Sequence, residues 1–261
     1  MRSRVISAAV GIPLMVGLTY LGGWWLRGLV LILVALAAAE LGLLLRQLGL
    51  GRWRPVTLAG SLLLAFWSSI SPQISHIIWI FLFVSSFSIV LARRGPTARL
   101  VFGMALSMFF TLYLGLTFSH WVLMRSLEGG FVLALSALVI TWANDTGAFL
   151  VGTRFGRVRL IPSVSPAKTL EGAGGGFLGA LVVALGIGLS LGWPHGLILT
   201  AALAGAAAGQ VGDLFMSMLK RSAGLKDTGA LIPGHGGVLD RFDSLAFSLP
   251  VLYYLFSWHF L

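Results

Sequence analysis

From Ser217 to Asp243 the chain reads SMLKRSAGLKDTGALIPGHGGVLDRFD, a polar interval in a sequence that is otherwise mostly apolar. Lys220, Arg221, Lys226 and Arg241 stand there beside Asp227, Asp240 and Asp243, with a turn at His235-Gly236-Gly237. The whole chain has 8 acidic residues; three fall in this interval and a fourth, Asp213, lies just ahead of it. Carboxylates bind hard divalent cations, ammonium and guanidinium groups bind phosphate oxygens, and glycines let a backbone come close to a ligand. The three together, beside an apolar helix, predict metal-assisted phosphate chemistry at a membrane surface.

More polar residues lie upstream. Asn144-Asp145-Thr146 falls near the end of an apolar segment, and Ser165-Pro166-Ala167-Lys168-Thr169 offers hydroxyls, a turn and one lysine that can shape a phosphate site. Gln210, Asp213, Ser217 and Lys220 follow one another at intervals of three and four and so share one helix face. Asp240 and Asp243 share another. Asp240 also suits the first turn of a helix, where carboxylates are favoured, but capping does not explain Asp213 on a different helix. Oxygen donors with no cysteine and a single nearby histidine favour Mg²⁺ over Zn²⁺. Asp213 and Asp240 are the expected ligands, with Asp243 and Asp145 in support.

The elements that must position these residues are membrane helices. The 261 residues are 57% hydrophobic and 10% charged, with a mean hydropathy of +0.95, whereas a soluble domain carries about 25% charged residues. Nine apolar segments approach the roughly 20 residues that a bilayer core requires: 5–21, 28–45, 56–72, 76–92, 100–124, 131–151, 172–192, 196–214 and 242–260. Of the 18 basic residues, all but Arg27 and Arg125 fall in alternate connections, and the positive-inside rule makes that crowded side cytoplasmic. The expectation is an all-α integral membrane protein of about nine transmembrane helices, N-terminus inside and C-terminus outside. The first segment runs through Leu21 into Gly22-Gly23-Trp24-Trp25 with no small-residue cleavage motif, so it is expected to stay as a membrane helix. The net charge of +10 is dealt out between apolar segments and forms no basic stripe, which argues against a nucleic-acid partner. No cysteine means no disulfide, thiolate metal site or thiol nucleophile.

Gly174 to Gly179 formally fits a dinucleotide-binding pattern, but it follows no strand and opens an apolar run. The spacings Gly172/Gly176, Gly175/Gly179 and Gly205/Gly209 instead predict close helix packing. Glu40 lies inside the second segment, where an unpaired charge is costly; its expected partner is an arginine near the cytoplasmic face. Glu128 reads as a solvated loop residue, and the histidines at 76, 120, 195 and 259 carry no chemistry.

The interval 217–243 resembles the C-terminal signature of the CTP-dependent phosphatidate cytidylyltransferases. Ser217, Lys220, Arg221, Lys226, Asp227, Gly229, Ile232, Pro233, His235, Gly236, Gly237, Asp240, Arg241 and Asp243 fill that pattern without a gap. The family's upstream elements correspond to Asn144-Asp145-Thr146 and Ser165 to Thr169. The resemblance covers roughly 140–261 and is weak over 1–139, where only generic membrane helices stand out. It departs at Met216, three residues after Asp213, where members often carry an acid.

The resemblance implies transfer of a cytidylyl group from CTP to phosphatidate, giving CDP-diacylglycerol and pyrophosphate for phospholipid synthesis. It implies Mg²⁺, with a second cation possible, held by Asp213, Asp240, Asp243 and Asp145. Lys168, Asp213, Asp240 and Arg241 become the catalytic candidates. Asn144, Ser165, Thr169, Lys220, Arg221, Lys226, Asp227, His235, Gly236 and Gly237 become the substrate-binding ones. The expected arrangement is an N-terminal membrane region, 1–125, followed by a catalytic region, 126–261, in the inner (plasma) membrane with its site facing the cytoplasm. The expected partners are CTP, phosphatidate and membrane lipids, with a homodimer left open. The alternatives are a cytidylyltransferase or kinase acting on an isoprenoid lipid, and, from another class, a cation or lipid transporter.

Overall fold

Glycine and proline breaks divide the apolar sequence into helices, and the computed structural model describes residues 2–92, 97–229 and 236–260, with residues 2–8 and Pro72 given by backbone alone. Nine α-helices occur among them: α1 (Arg2–Leu21), α2 (Gly23–Gln47), α3 (Arg54–Ser68), α4 (Pro72–Leu91), α5 (Ala98–Arg125), α6 (Gly130–Phe155), α7 (Leu170–Ser190), α8 (His195–Ser222) and α9 (Leu239–Phe260). Each expected segment corresponds to one helix. The ends differ where polar residues continue a helix that hydropathy alone would stop: α8 runs past 214 to Ser222 and so carries Asp213, Ser217, Lys220 and Arg221 on helical backbone.

One element was not anticipated. Strands β1 (Arg159–Ile161) and β2 (Ser165–Thr169) form a short antiparallel hairpin between α6 and α7. Thr169 ends β2 in extended backbone and its hydroxyl accepts the Gly172 amide at 3.0 Å, which starts α7. Glu171 in that first turn accepts the backbone amides of Arg157 and Val158, so the hairpin is tied down at its base.

Six helices (α2 and α4 to α8) are long and apolar enough to cross a membrane. Helix α3 has 15 residues, roughly 22 Å at about 1.5 Å per residue, against a hydrocarbon core of about 30 Å. The apolar part of α1 is Ala9–Leu21, and α9 opens with Asp240, Arg241 and Asp243.

The chain divides into two packed units, Met1–Val122 with Leu225–Leu239, and Leu123–Gly224 with Asp240–Leu261. In the first, α2 packs on α1 and α3, and α3 on α4. Thr57 and Ser107 join α3 to α5 through a hydroxyl pair at 2.8 Å. In the second, α6, α7 and α8 pack on one another. Small residues allow the approach, as expected for helices that associate in lipid without a hydrophobic driving force. A Cβ at Gly175 would sit 2.8 Å from the Gly147 carbonyl oxygen, and one at Gly179 2.6 Å from that of Ala143. Gly205 lies under Leu252, and a Cβ at Gly212 would stand 2.4 Å from the Asp243 carbonyl oxygen, so α9 rests on α8. The paired hydroxyls of Thr141 and Ser248, 2.8 Å apart, join α6 to α9.

Candidate active site

Close packing in the second unit brings the polar ends of α6, α7, α8 and α9 together beside the hairpin. A cavity of about 270 Å³ opens there, lined by Asn144 and Asp145 from α6, Lys168 and Thr169 from β2, Gly172 and Ala173 from α7, and Gln210 and Asp213 from α8. Ala148, Phe149, Leu160 and Leu214 supply its apolar wall. A pocket of this kind, apolar with a few convergent polar groups, is the usual form of a small-molecule site.

The polar groups hold one another in a definite order. Lys168 Nζ pairs with Asp213 Oδ2 at 2.8 Å, joining the hairpin to α8. Gln210 donates to Asn144 Oδ1 at 2.9 Å and to the Ala173 carbonyl at 3.0 Å, so one amide ties α8 to α6 and α7. Asn144, 1% exposed, in turn donates to Asp145 Oδ1 at 3.1 Å. Ser244 continues the chain from α9: its hydroxyl donates to Asp145 Oδ1 at 3.1 Å and its amide to Asp243 Oδ1 at 2.8 Å. Lys220 near the end of α8 donates to Asp240 Oδ1 at 2.6 Å in the first turn of α9.

The carboxylates of Asp145, Asp213 and Asp243 lie close enough to repel one another, and the Lys220 charge, paired with Asp240, is also felt at Asp243. Four acidic side chains (Asp145, Asp213, Asp240, Asp243) thus share this end of the unit with two ammonium groups (Lys168, Lys220), Lys168 paired with Asp213 and Lys220 with Asp240. Among the described residues no three acidic or histidine side chains already converge as a metal cluster. The donor set is nonetheless all hard oxygen, so the residues fit Mg²⁺ by their chemistry.

Asp213 and Asp240, expected to act as one pair, are each held by a different lysine. Asp145 and Asp243, expected in supporting roles, are the acids nearest to Asp213 in charge interaction. Thr169 lines the cavity, but its hydroxyl caps α7. Ser165 lies at the far end of β2 from Lys168, opposite Ile161. Arg221 is drawn to the hairpin turn, its Nε donating to the Val164 carbonyl at 3.4 Å. Arg241 is exposed in the first turn of α9. Lys226, Asp227, Gly236 and Gly237 belong to the first unit; Lys226 and Asp227 are exposed, and Gly236 has a left-handed φ of 84° that suits glycine. His235, with Arg93 and Arg94, lies outside the described residues.

Among the described residues Glu40 is paired with no arginine. Its carboxylate accepts from the Thr228 hydroxyl at 2.9 Å and the backbone amides of Val238 at 2.7 Å and Leu239 at 2.9 Å. Two positions beyond the expected set also matter. Gln210 was legible as a polar residue on the Asp213 face, whereas Ser244 carried no signal beyond following Asp243.

The sequence profile of the Cytidylyltransferase family matches residues 2–259. This chain belongs to the cytidylyltransferase family. The match takes in the first 139 residues, where the sequence resemblance was weak. The chain is 32% identical to a phosphatidate cytidylyltransferase of Synechocystis sp. over 281 aligned positions, covering 96% of this chain and 94% of that one. It is 33% identical to the chloroplastic phosphatidate cytidylyltransferase 5 of Arabidopsis thaliana, covering 95% of this chain and 70% of the plant protein. A phosphatidate cytidylyltransferase of Bacillus subtilis is 42% identical over 149 positions, 56% of this chain and 55% of that one. In this cytidylyltransferase the paired Lys168 and Asp213 thus line a cavity beside further acidic side chains.

Proposed function

We propose that this cytidylyltransferase transfers the cytidylyl group of CTP to phosphatidate, releasing pyrophosphate and forming CDP-diacylglycerol. The lipid phosphate, already an oxyanion near neutral pH, attacks the α-phosphorus of CTP. The new bond joins a lipid phosphate oxygen to the α-phosphorus, the bond from that phosphorus to the β-phosphate bridging oxygen breaks, and its electron pair leaves with pyrophosphate. No strong general base is needed, so positioning and electrostatics dominate.

Lys168, oriented by Asp213, places a positive charge at the cavity wall where phosphate oxygens gather charge in the transition state. Lys220, Arg221 and Arg241 hold the two phosphate-bearing substrates, with Asn144 and Gln210 lining the cavity. Asp145, Asp213, Asp240 and Asp243 would hold Mg²⁺, which when bound screens the two polyanions and stabilises the charge on the departing pyrophosphate. The acyl chains stay among the helices, and CTP enters from the cytoplasm, the side on which the chain's basic residues gather. The nine helices then cross in alternate directions, the short α3 by locally thinning the bilayer, with 126–261 as the catalytic region.

The observation that carries this reading is the Lys168–Asp213 pair lining a cavity beside Asp145 and the acidic start of α9. Its test is pyrophosphate release by the purified chain in lipid vesicles. Release should require CTP, Mg²⁺ and phosphatidate together; release without the lipid phosphate would contradict it.

A further inference from the structure

Glu40 is 1% exposed in the middle of an apolar helix, a costly place for a carboxylate. Among the described residues its hydrogen-bond donors come from the stretch that follows α8: the Thr228 hydroxyl and the amides of Val238 and Leu239. The backbone of that stretch presses on the carboxylate from two sides. A Cβ at Gly229 would sit 3.0 Å from Oε1, a tight approach, and one at Gly237 2.5 Å from Oε2, where something must shift to admit it. Gly237, which in sequence looked like an approach to a ligand, is an approach to this internal acid.

The amides that Glu40 receives are those at the start of α9, which begins at Leu239. The first N–H groups of a helix have no partner inside it, and a carboxylate that takes two of them decides at which residue the helix starts. Each residue of slip would turn the helix by about 100°. Asp240, Arg241 and Asp243 follow at once, and Asp240 must face Lys220 at 2.6 Å. We propose that Glu40 is a positioning residue of the transfer reaction, capping α9 from a distant helix so that Asp240, Arg241 and Asp243 point where the chemistry needs them. This rests on the function proposed above.

The test uses the full chain in lipid nanodiscs as Glu40→Gln and Thr228→Val. The Gln amide turns a donor toward a backbone N–H, whereas Val keeps the shape of Thr and removes one bond. Hydrogen exchange is followed on peptides spanning 236–245 and, for reference, on α6 and α8; kcat and KM for CTP are followed by transfer of label to phosphatidate. Glu40→Gln should speed exchange at 238 and 239 at least about tenfold with α6 and α8 unchanged. It should lower kcat by roughly 100-fold, as for an ångström-scale misplacement of reacting groups, with KM for CTP within about threefold. Thr228→Val should move both in the same direction by less. Unchanged exchange overturns the proposal, as does faster exchange with kcat within about threefold of the original chain, or a loss confined to KM. If Glu40→Gln does not fold, Thr228→Val decides by the same two readouts. An unsubstituted chain that transfers no label refutes the functional reading instead, and hydrogen exchange still reports whether Glu40 holds the start of α9.

Discussion

Replacing Lys168 by methionine keeps the length and apolar stem of the side chain and removes its charge. The pair it forms with Asp213 is 2.8 Å long, with the two side chains 25% and 38% exposed. An ion pair that accessible contributes about 0–1 kcal/mol to stability, since solvent screens it and two side chains must be held still. The same ammonium group aimed at phosphate oxygens in a site closed by substrate is worth more. Loss of one preorganised transition-state donor costs about 10²–10³ in rate, or roughly 2.7–4 kcal/mol. Lys168→Met should therefore cut kcat/KM for CTP by about 100-fold or more and leave the unfolding midpoint in detergent within a few degrees. Asp213→Asn should be as damaging, because it releases the lysine and removes a carboxylate at once. The double substitution should be little worse than either alone, as for residues that act as a unit. A Lys168→Met chain within about threefold of the original rate would refute the reasoning. So would a rate loss accompanied by an equal loss of stability, because the pair would then be a structural clasp.

Other outcomes follow from the packing and charge. Gly176→Ala places a Cβ 2.6 Å from Asn144 Oδ1 and 2.8 Å from Gln210 Nε2, whereas Gly174 faces open space; the first should lose activity at least about tenfold and the second should be neutral, as measured by label transfer and thermal unfolding. Lys220 and Asp240 are 13% and 6% exposed, so removing one partner alone, as in Lys220→Met, should destabilise by about 3 kcal/mol, read by denaturant or thermal unfolding. A reporter active only outside the cytoplasm, fused after Leu261, should be active, and cytoplasmic activity there would overturn the proposed orientation.

The helices were legible because a bilayer demands long apolar runs, and every break between them fell near a glycine, a proline or a charge cluster. Helix ends were less so: hydropathy stops at Leu214, but the backbone continues helical to Ser222 since Ser217 and Lys220 lie on a polar face and cost the helix nothing. The small-residue spacings of α7 read directly as packing faces, because only a missing side chain allows backbones so close, whereas on α8 the close backbone approach falls at Gly212 and not at Gly205 or Gly209. Which charges pair was hidden. Lys168 and Asp213 are 45 positions apart, and Glu40 finds its donors 188 to 199 positions away; no local spacing reports that. Thr169 carried a phosphate-site expectation from its neighbours, while its hydroxyl is committed to starting α7.

The central claim, cytidylyl transfer to a lipid phosphate, is tested most directly by following label from CTP into the lipid fraction. CTP labelled at the α-phosphate should bring label into the lipid fraction as CDP-diacylglycerol in the presence of Mg²⁺ and none after chelation, while CTP labelled at the γ-phosphate should label only released pyrophosphate. Label from the γ-phosphate appearing in the lipid would make the chain a kinase, and an isoprenoid phosphate labelled in preference to phosphatidate would contradict the proposed substrate.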